Sequence, residues 1–169
     1  MTDLNKFISH ITQTLIAHEG KLTALDQAIG DGDHGINMRR GSEALQENIN
    51  AICALPFNDA MTKLGMTLVM SIGGASGPLY GTLAMSMGKV TNSFPDNTVA
   101  LSHCMGEALT ALKARGKSDV GAKTMLDILG PVCDALNEPQ VTIQSIRKTA
   151  DDALAATPQG GWAPMLVKS

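Results

Sequence analysis

Three aspartates, Asp26, Asp31 and Asp33, fall within eight positions, and glycines interleave with the last two at Gly30, Gly32 and Gly35. His34 and Asn37 follow at once, so that the stretch 28–41 reads AIGDGDHGINMRRG. Carboxylates this close repel one another unless a cation sits between them. Glycines let the backbone bend sharply and approach a ligand. The residue types suit a hard cation such as Mg2+, which takes one or two carboxylates together with waters and phosphate oxygens. An acidic surface turn is the alternative for the same residues. An EF-hand is excluded, because neither count from Asp26 nor count from Asp31 puts glycine sixth and glutamate twelfth.

A second stretch, GGASGP at 73–78, offers close backbone approach at Gly73 and Gly74 and donors at and near Ser76 for phosphate oxygens. It is not a Walker loop, because no GK[ST] follows. Paired with the aspartates, it suggests a nucleoside diphosphate or triphosphate bridged by Mg2+. His34, directly after Asp33, is within reach of such phosphates and is expected to bind rather than to catalyse. His10, His18 and His103 lie on helical patterns without partners. Met125 follows a third, polar turn at 116–121 and could pack on a flat base.

The elements that must carry these turns are helices. Apolar residues recur at helical intervals over 4–19, with Asp3 as cap and Gly20 as stop, and again over 21–29 with Asp26 near the end. A third helix is expected from 34 or 35 to 53, with Ile36, Leu45, Ile49 and Ile52 as its stripe. Pro56 breaks the chain, and Asn58 or Asp59 caps a helix running to Ile72. That helix is expected to be central and largely buried, with Val69 and Met70 widening its apolar face and the methionines 61, 66, 70, 85 and 87 in the core. Further helices are expected from 76–78 to 90, over 98–115, over 122–136 with a bend at Pro131, and over 141–156. No segment alternates with period two, so the expected fold is all-α, an antiparallel bundle of seven or eight helices. Two helices separate each turn from the next, which gathers all three turns at one rim.

The 169 residues, 44% hydrophobic and 17% charged, are those of one globular domain. The expected domain is 1–157, followed by an irregular tail at 158–169 holding two Pro, two Gly and the only Trp. A net charge of −3 and 3% aromatic content argue against nucleic acid as a partner. Cys53, Cys104 and Cys133 are odd in number and lack CxxC spacing, so reduced thiols are expected. No signal peptide and no membrane-spanning run are visible, and the cytoplasm is the expected address.

The stretches LDQAIGDGDHGINMRRG, GMTLVMSIGGASGPLYGT and ARGKSDVGAKTM closely resemble the L subunit of dihydroxyacetone kinase, over roughly 15–156. The resemblance implies an eight-helix antiparallel barrel with ADP/ATP held at one rim by two Mg2+ ions. By matching motif, Asp26, Asp31 and Asp33 would be the Mg2+ ligands. His34, Gly35, Ile36 and Asn37 would approach the nucleotide, Ala75 and Ser76 its phosphates, and Gly116 and Met125 its base. His34 and Asn37 match the phosphoenolpyruvate-dependent kind, in which a phosphohistidine M subunit rephosphorylates resident ADP and the phosphoryl group passes to dihydroxyacetone on a K subunit. A homodimer is one expected assembly. Two departures stand out. Gly121-Ala122-Lys123-Thr124-Met125 replaces the family's GDKTM, and the family's later Gly-Arg-Ala-Ser-Tyr and Asp-Pro-Gly stretches are not found. The second departure bears on the last helix of the barrel and on closure over the nucleotide. It keeps open one alternative, a non-catalytic or regulatory L-like module with impaired nucleotide binding; a second alternative keeps the nucleotide site in a kinase domain for another small polyol or a fatty acid.

Overall fold

A computed structural model describes residues 3–28 and 30–156. They form α1 (Asp3–Ala17), α2 (Glu19–Gln27), α3 (His34–Cys53), α4 (Phe57–Ser71), α5 (Ser76–Met87), α6 (Thr98–Gly116), α7 (Leu126–Ala135) and α8 (Ile143–Ala156). No strand occurs among them. Each long helix packs on its successor from α3 to α8, while α1 and α2 both pack on α3. Among the described residues α8 packs on α7 and not on α1. The tail expected at 158–169 lies outside the described residues.

The core sits between α1, α3, α4, α5 and α6, where Ile52, Ala60, Cys104 and Ala108 are fully buried. Phe94, in the connection before α6, stands edge-on to Phe7 of α1 and Phe57 of α4, with ring centroids 6.2 and 5.9 Å away. Edge-to-face pairs of this kind add stabilisation beyond their buried area. A second cluster of Leu109, Leu112, Leu126 and Cys133 joins α6 to α7. Helices α4 and α5 touch backbone to backbone, because a Cβ on Gly65 would lie 2.7 Å from the Gly81 carbonyl oxygen. The three cysteines are free thiols, and burial pushes Cys104 and Cys133 up, which keeps them in the inert neutral form.

Several local expectations are corrected. The break between α1 and α2 falls at His18, and Gly20 lies inside α2. Packing decides this, since Glu19 and Thr23 of α2 close directly on Gly35 of α3. Helix α4 starts at Phe57 behind Pro56, two or three residues earlier than a cap at Asn58 or Asp59 would allow. Met66, Val69 and Met70 are not core: they are 56%, 41% and 86% exposed, and Val69 lies at the edge of the contact with α5, where a Cβ on Gly81 would sit 2.4 Å from its Cγ2. Ile36 is 48% exposed and lies off the buried face of α3, which is built from Gly35, Asn37, Met38, Gly41, Ser42, Leu45 and Ile52. Helix α7 starts at Leu126 instead of 122, because the backbone N–H groups of Gly121 and Thr124 are bound by the Asp127 carboxylate.

Candidate metal and phosphate site

The last turn of α2 and the first turn of α3 build the acidic centre. Asp26 lies in that last turn, and its carbonyl accepts the Gly30 N–H at 2.6 Å, which starts the reversal. Gly32 follows at φ +75°, a left-handed conformation that glycine adopts without penalty. The reversal brings one carboxylate oxygen each of Asp26, Asp31 and Asp33 within 4.8 Å of one another. Asp31 and Asp33 are exposed and Asp26 is half-buried. Two unit charges at such a distance repel by about 1 kcal/mol in water and by several-fold more where water is displaced. A divalent cation turns that repulsion into attraction.

Asp33 stands at the N-cap of α3, yet its side chain makes no capping bond. The cap comes from Asp26, whose Oδ2 accepts the His34 N–H at 3.2 Å. Asp26 thereby joins α2 to the positive end of α3, where carboxylates are favoured. The first N–H groups of a helix have no partner within it, so this end can also receive anions. Glycine at 35 is demanded by space: a Cβ there would lie 2.2 Å from both the Glu19 carbonyl oxygen and Thr23 Oγ1. The contact presses α2 against α3 and sets where Asp26 stands. Outside it, Arg39 of α3 ties the two helices together through Glu19 at 3.0 Å and is itself held by Glu43, one turn on in α3, at 2.7 Å.

The GGASGP turn meets this centre directly. Ser76 Oγ lies 3.4 Å from His34 Nδ1, and buried Asn37 faces Gly73, where a Cβ would sit 3.0 Å from Asn37 Oδ1. Gly74 takes φ +63° with open space around it. Ala75 is the N-cap of α5 and Ser76 its first residue, so a second helix N-terminus opens beside the first. Pro78 lacks an N–H of its own at a place where one would go unpaired.

The third turn comes in through α5. A Cβ on Gly116 would lie 3.8 Å from Leu79 Cδ2, and Leu79 and Met125 both pack on the cluster between α6 and α7. Lys113 pairs with Asp119 at 2.6 Å and, as the main cause, holds its carboxyl below the usual carboxylate range; the Val120 N–H adds to this. The rim therefore carries Asp26, Asp31, Asp33, His34, Gly35, Ile36 and Asn37 on one side. Ala75 and Ser76 lie in the middle, and Gly116 and Met125 beyond Leu79. Leu79 and Asp127 were not singled out by spacing. The signals available for them were an apolar residue one turn into the GGASGP helix and a carboxylate in the first turn after the third loop.

The DAK2 domain family matches residues 28–161. The chain is 41% identical over 134 residues to the ADP-binding subunit DhaL of PEP-dependent dihydroxyacetone kinase 1 from Listeria innocua, covering 77% of this chain and 68% of that one. It is 34% identical over 144 residues to the corresponding subunit from Escherichia coli, covering 80% and 69%. The fold is shared with the dihydroxyacetone kinase from C. freundii, solved in complex with AMP-PNP and Mg2+, at a TM-score of 0.74 and 24% identity. That alignment takes in 89% of this chain but 28% of the longer kinase. The chain belongs to the DAK2 domain family, among whose members are the ADP-binding L subunits of bacterial phosphoenolpyruvate-dependent dihydroxyacetone kinases.

Proposed function

We propose that the chain is the ADP-binding subunit of a phosphoenolpyruvate-dependent dihydroxyacetone kinase. In this reading it carries a phosphoryl group on resident ADP/ATP from a phosphohistidine M subunit to dihydroxyacetone held by a K subunit. The observation that carries the reading is the meeting of Asp26, Asp31 and Asp33 within 4.8 Å at the head of α3, with the head of α5 joined to it through His34 and Ser76. Two helix N-termini and three carboxylates form a site for an anion and a cation together, which Mg-ADP is.

The donor set fits the metal, because carboxylate oxygens are the hard ligands that Mg2+ takes. Three carboxylates facing a diphosphate supply ligands for two ions. Bound there, the ions would neutralise charge on the phosphate oxygens during transfer. Asp26 would serve as ligand while its second oxygen caps α3. His34 and Ser76 would orient phosphate oxygens, with Ala75 and the backbone N–H groups heading α5 beside them. Buried Asn37 would hold Gly73 close, and Gly35 would keep α2 seated so that the ligands stay in register. Exposed Ile36 would offer an apolar contact at the rim. Gly116 and Met125, with Leu79, would flank the base. No side chain here need act as general base, since the work is positioning and charge neutralisation. No helix among the described residues is long and apolar enough to cross a membrane, and a cytoplasmic address belongs to the same reading.

The test is to denature the purified chain and identify what it releases. ADP near one equivalent is expected, with Mg2+ retained until chelation. A nucleotide-free chain that also fails to take up ADP with Mg2+ would refute the proposal.

A further inference from the structure

We propose that Asp127 is a positioning residue for the base side of the site, clamping the third loop so that Gly116 and Met125 flank the adenine of a bound nucleotide. The inference rests on the nucleotide reading above.

The loop between α6 and α7 is conformationally costly. Lys123 and Gly121 take φ of 58° and 92°, while Lys117, at 47°, closes the end of α6 with its N–H on the Lys113 carbonyl. Left-handed backbone is unfavourable for a side chain such as lysine and persists only where surrounding contacts enforce it. Packing does not enforce it at the tip, since nothing would lie within 4 Å of a Cβ on Gly121. The Asp127 carboxylate does. Its Oδ1 accepts the Gly121 N–H and its Oδ2 the Thr124 N–H, both at 2.6 Å. The tie is reciprocal: the Asp127 N–H donates to the Thr124 carbonyl at 3.0 Å, and the Leu126 N–H donates to Thr124 Oγ1 at 3.2 Å.

Each carboxylate oxygen is thus spent on one backbone donor, and the loop is folded onto the first turn of α7. Charged acceptors make the stronger hydrogen bonds, and an acidic residue in that turn suits the helix dipole. The second tether, Lys113 to Asp119, is exposed and open to screening. Gly116 lies just before the clamped loop and Met125 at its end. Preorganising both walls spares a ligand the cost of ordering them. Ala122 has no side-chain acceptor, and the loop's other carboxylate, Asp119, is taken up by Lys113 and the Val120 N–H, which leaves Asp127 to hold Gly121 and Thr124.

The experiment compares wild type, Asp127→Ala and Asp127→Asn by calorimetry, using Mg-ADP and Mg-pyrophosphate, and follows amide hydrogen exchange without ligand. Pyrophosphate reaches the metal and phosphate groups but has no base. For Asp127→Ala, Mg-ADP affinity is expected to fall roughly ten- to a hundred-fold while Mg-pyrophosphate stays within about two-fold. Exchange at Gly121 and Thr124 should accelerate while Gly130 and Cys133 in α7 keep their protection. Asp127→Asn retains one oxygen acceptor and should fall between the two. Unchanged Mg-ADP affinity in Asp127→Ala, or equal loss for both ligands, overturns the proposal. A wild-type chain that binds neither ligand overturns the nucleotide reading itself, and a wild type that binds both alike overturns the base pocket.

Discussion

Replacing Gly35 with alanine tests how the acidic centre is held. The new Cβ would meet the Glu19 carbonyl oxygen and Thr23 Oγ1 at 2.2 Å and the Thr23 amide nitrogen at 2.8 Å. Two of these three atoms are backbone, so α2 itself must move. Reaching an ordinary contact of 3.4 Å from 2.2 Å requires a shift of about 1.2 Å. Overpacking costs about 1–3 kcal/mol, and alanine returns at most about 1 kcal/mol of helix propensity. The net loss, up to about 2 kcal/mol, corresponds to a melting decrease of up to roughly 8 °C in a chain of this size. Asp26 stands on α2 three residues beyond Thr23, and a shift of that size is over half of a Mg–O bond of about 2.1 Å. Mn2+ binding in the presence of ADP, read by electron paramagnetic resonance, should weaken at least about ten-fold. Gly20→Ala is the control. It lies in the same helix with nothing within 4 Å of its Cβ, so stability should rise by about 0.5–1 kcal/mol with Mn2+ affinity unchanged. Wild-type Mn2+ affinity in Gly35→Ala would refute the argument that the α2–α3 contact positions Asp26.

Further outcomes follow from the two neighbouring turns. Ser118 Oγ is buried without a hydrogen-bond partner, so Ser118→Ala should raise stability by about 1 kcal/mol in a denaturant titration; a loss would show that the hydroxyl is paired. Gly74→Ala meets no neighbour but takes φ +63°, so it should cost about 1–2 kcal/mol from backbone strain alone, and Gly74→Asn less; equal stability of all three would contradict this. The folded Asp119 carboxyl lies below its unfolded value, chiefly through Lys113. Its contribution to holding the loop is therefore present above an unfolded value of about 3.9 and lost as pH falls through the lower folded one. An NMR titration should give a midpoint below that unfolded value, moving up in Lys113→Ala; a midpoint at or above it would be the wrong sign.

Short-range features were the legible ones. The aspartates and glycines around residue 31 declare a turn by spacing, and the count of helices between turns is enough to gather them at one rim. Tertiary forces took over wherever residue type and burial part company. Met66, Val69, Met70 and Ile36 look like core from their apolar side chains, yet they are exposed, because periodicity reports a helix without saying which stripe finds a partner. The break at His18 is invisible in the sequence, because it depends on Gly35 of the next helix receiving Glu19 and Thr23. The late start of α7 has the same character: residues 122–125 are compatible with helix, but the Asp127 carboxylate binds the backbone donors of Gly121 and Thr124 in a loop instead.

The central claim is that Asp26, Asp31 and Asp33 hold Mg2+ against a nucleotide. Calorimetric titration of ADP into the nucleotide-free chain, with Mg2+ and with chelator, tests it most directly when repeated on Asp31→Ala and Asp33→Ala. Tight binding with Mg2+, lost on chelation and in both variants, is the predicted result. ADP binding that ignores the metal, or that survives removal of either carboxylate, would contradict it.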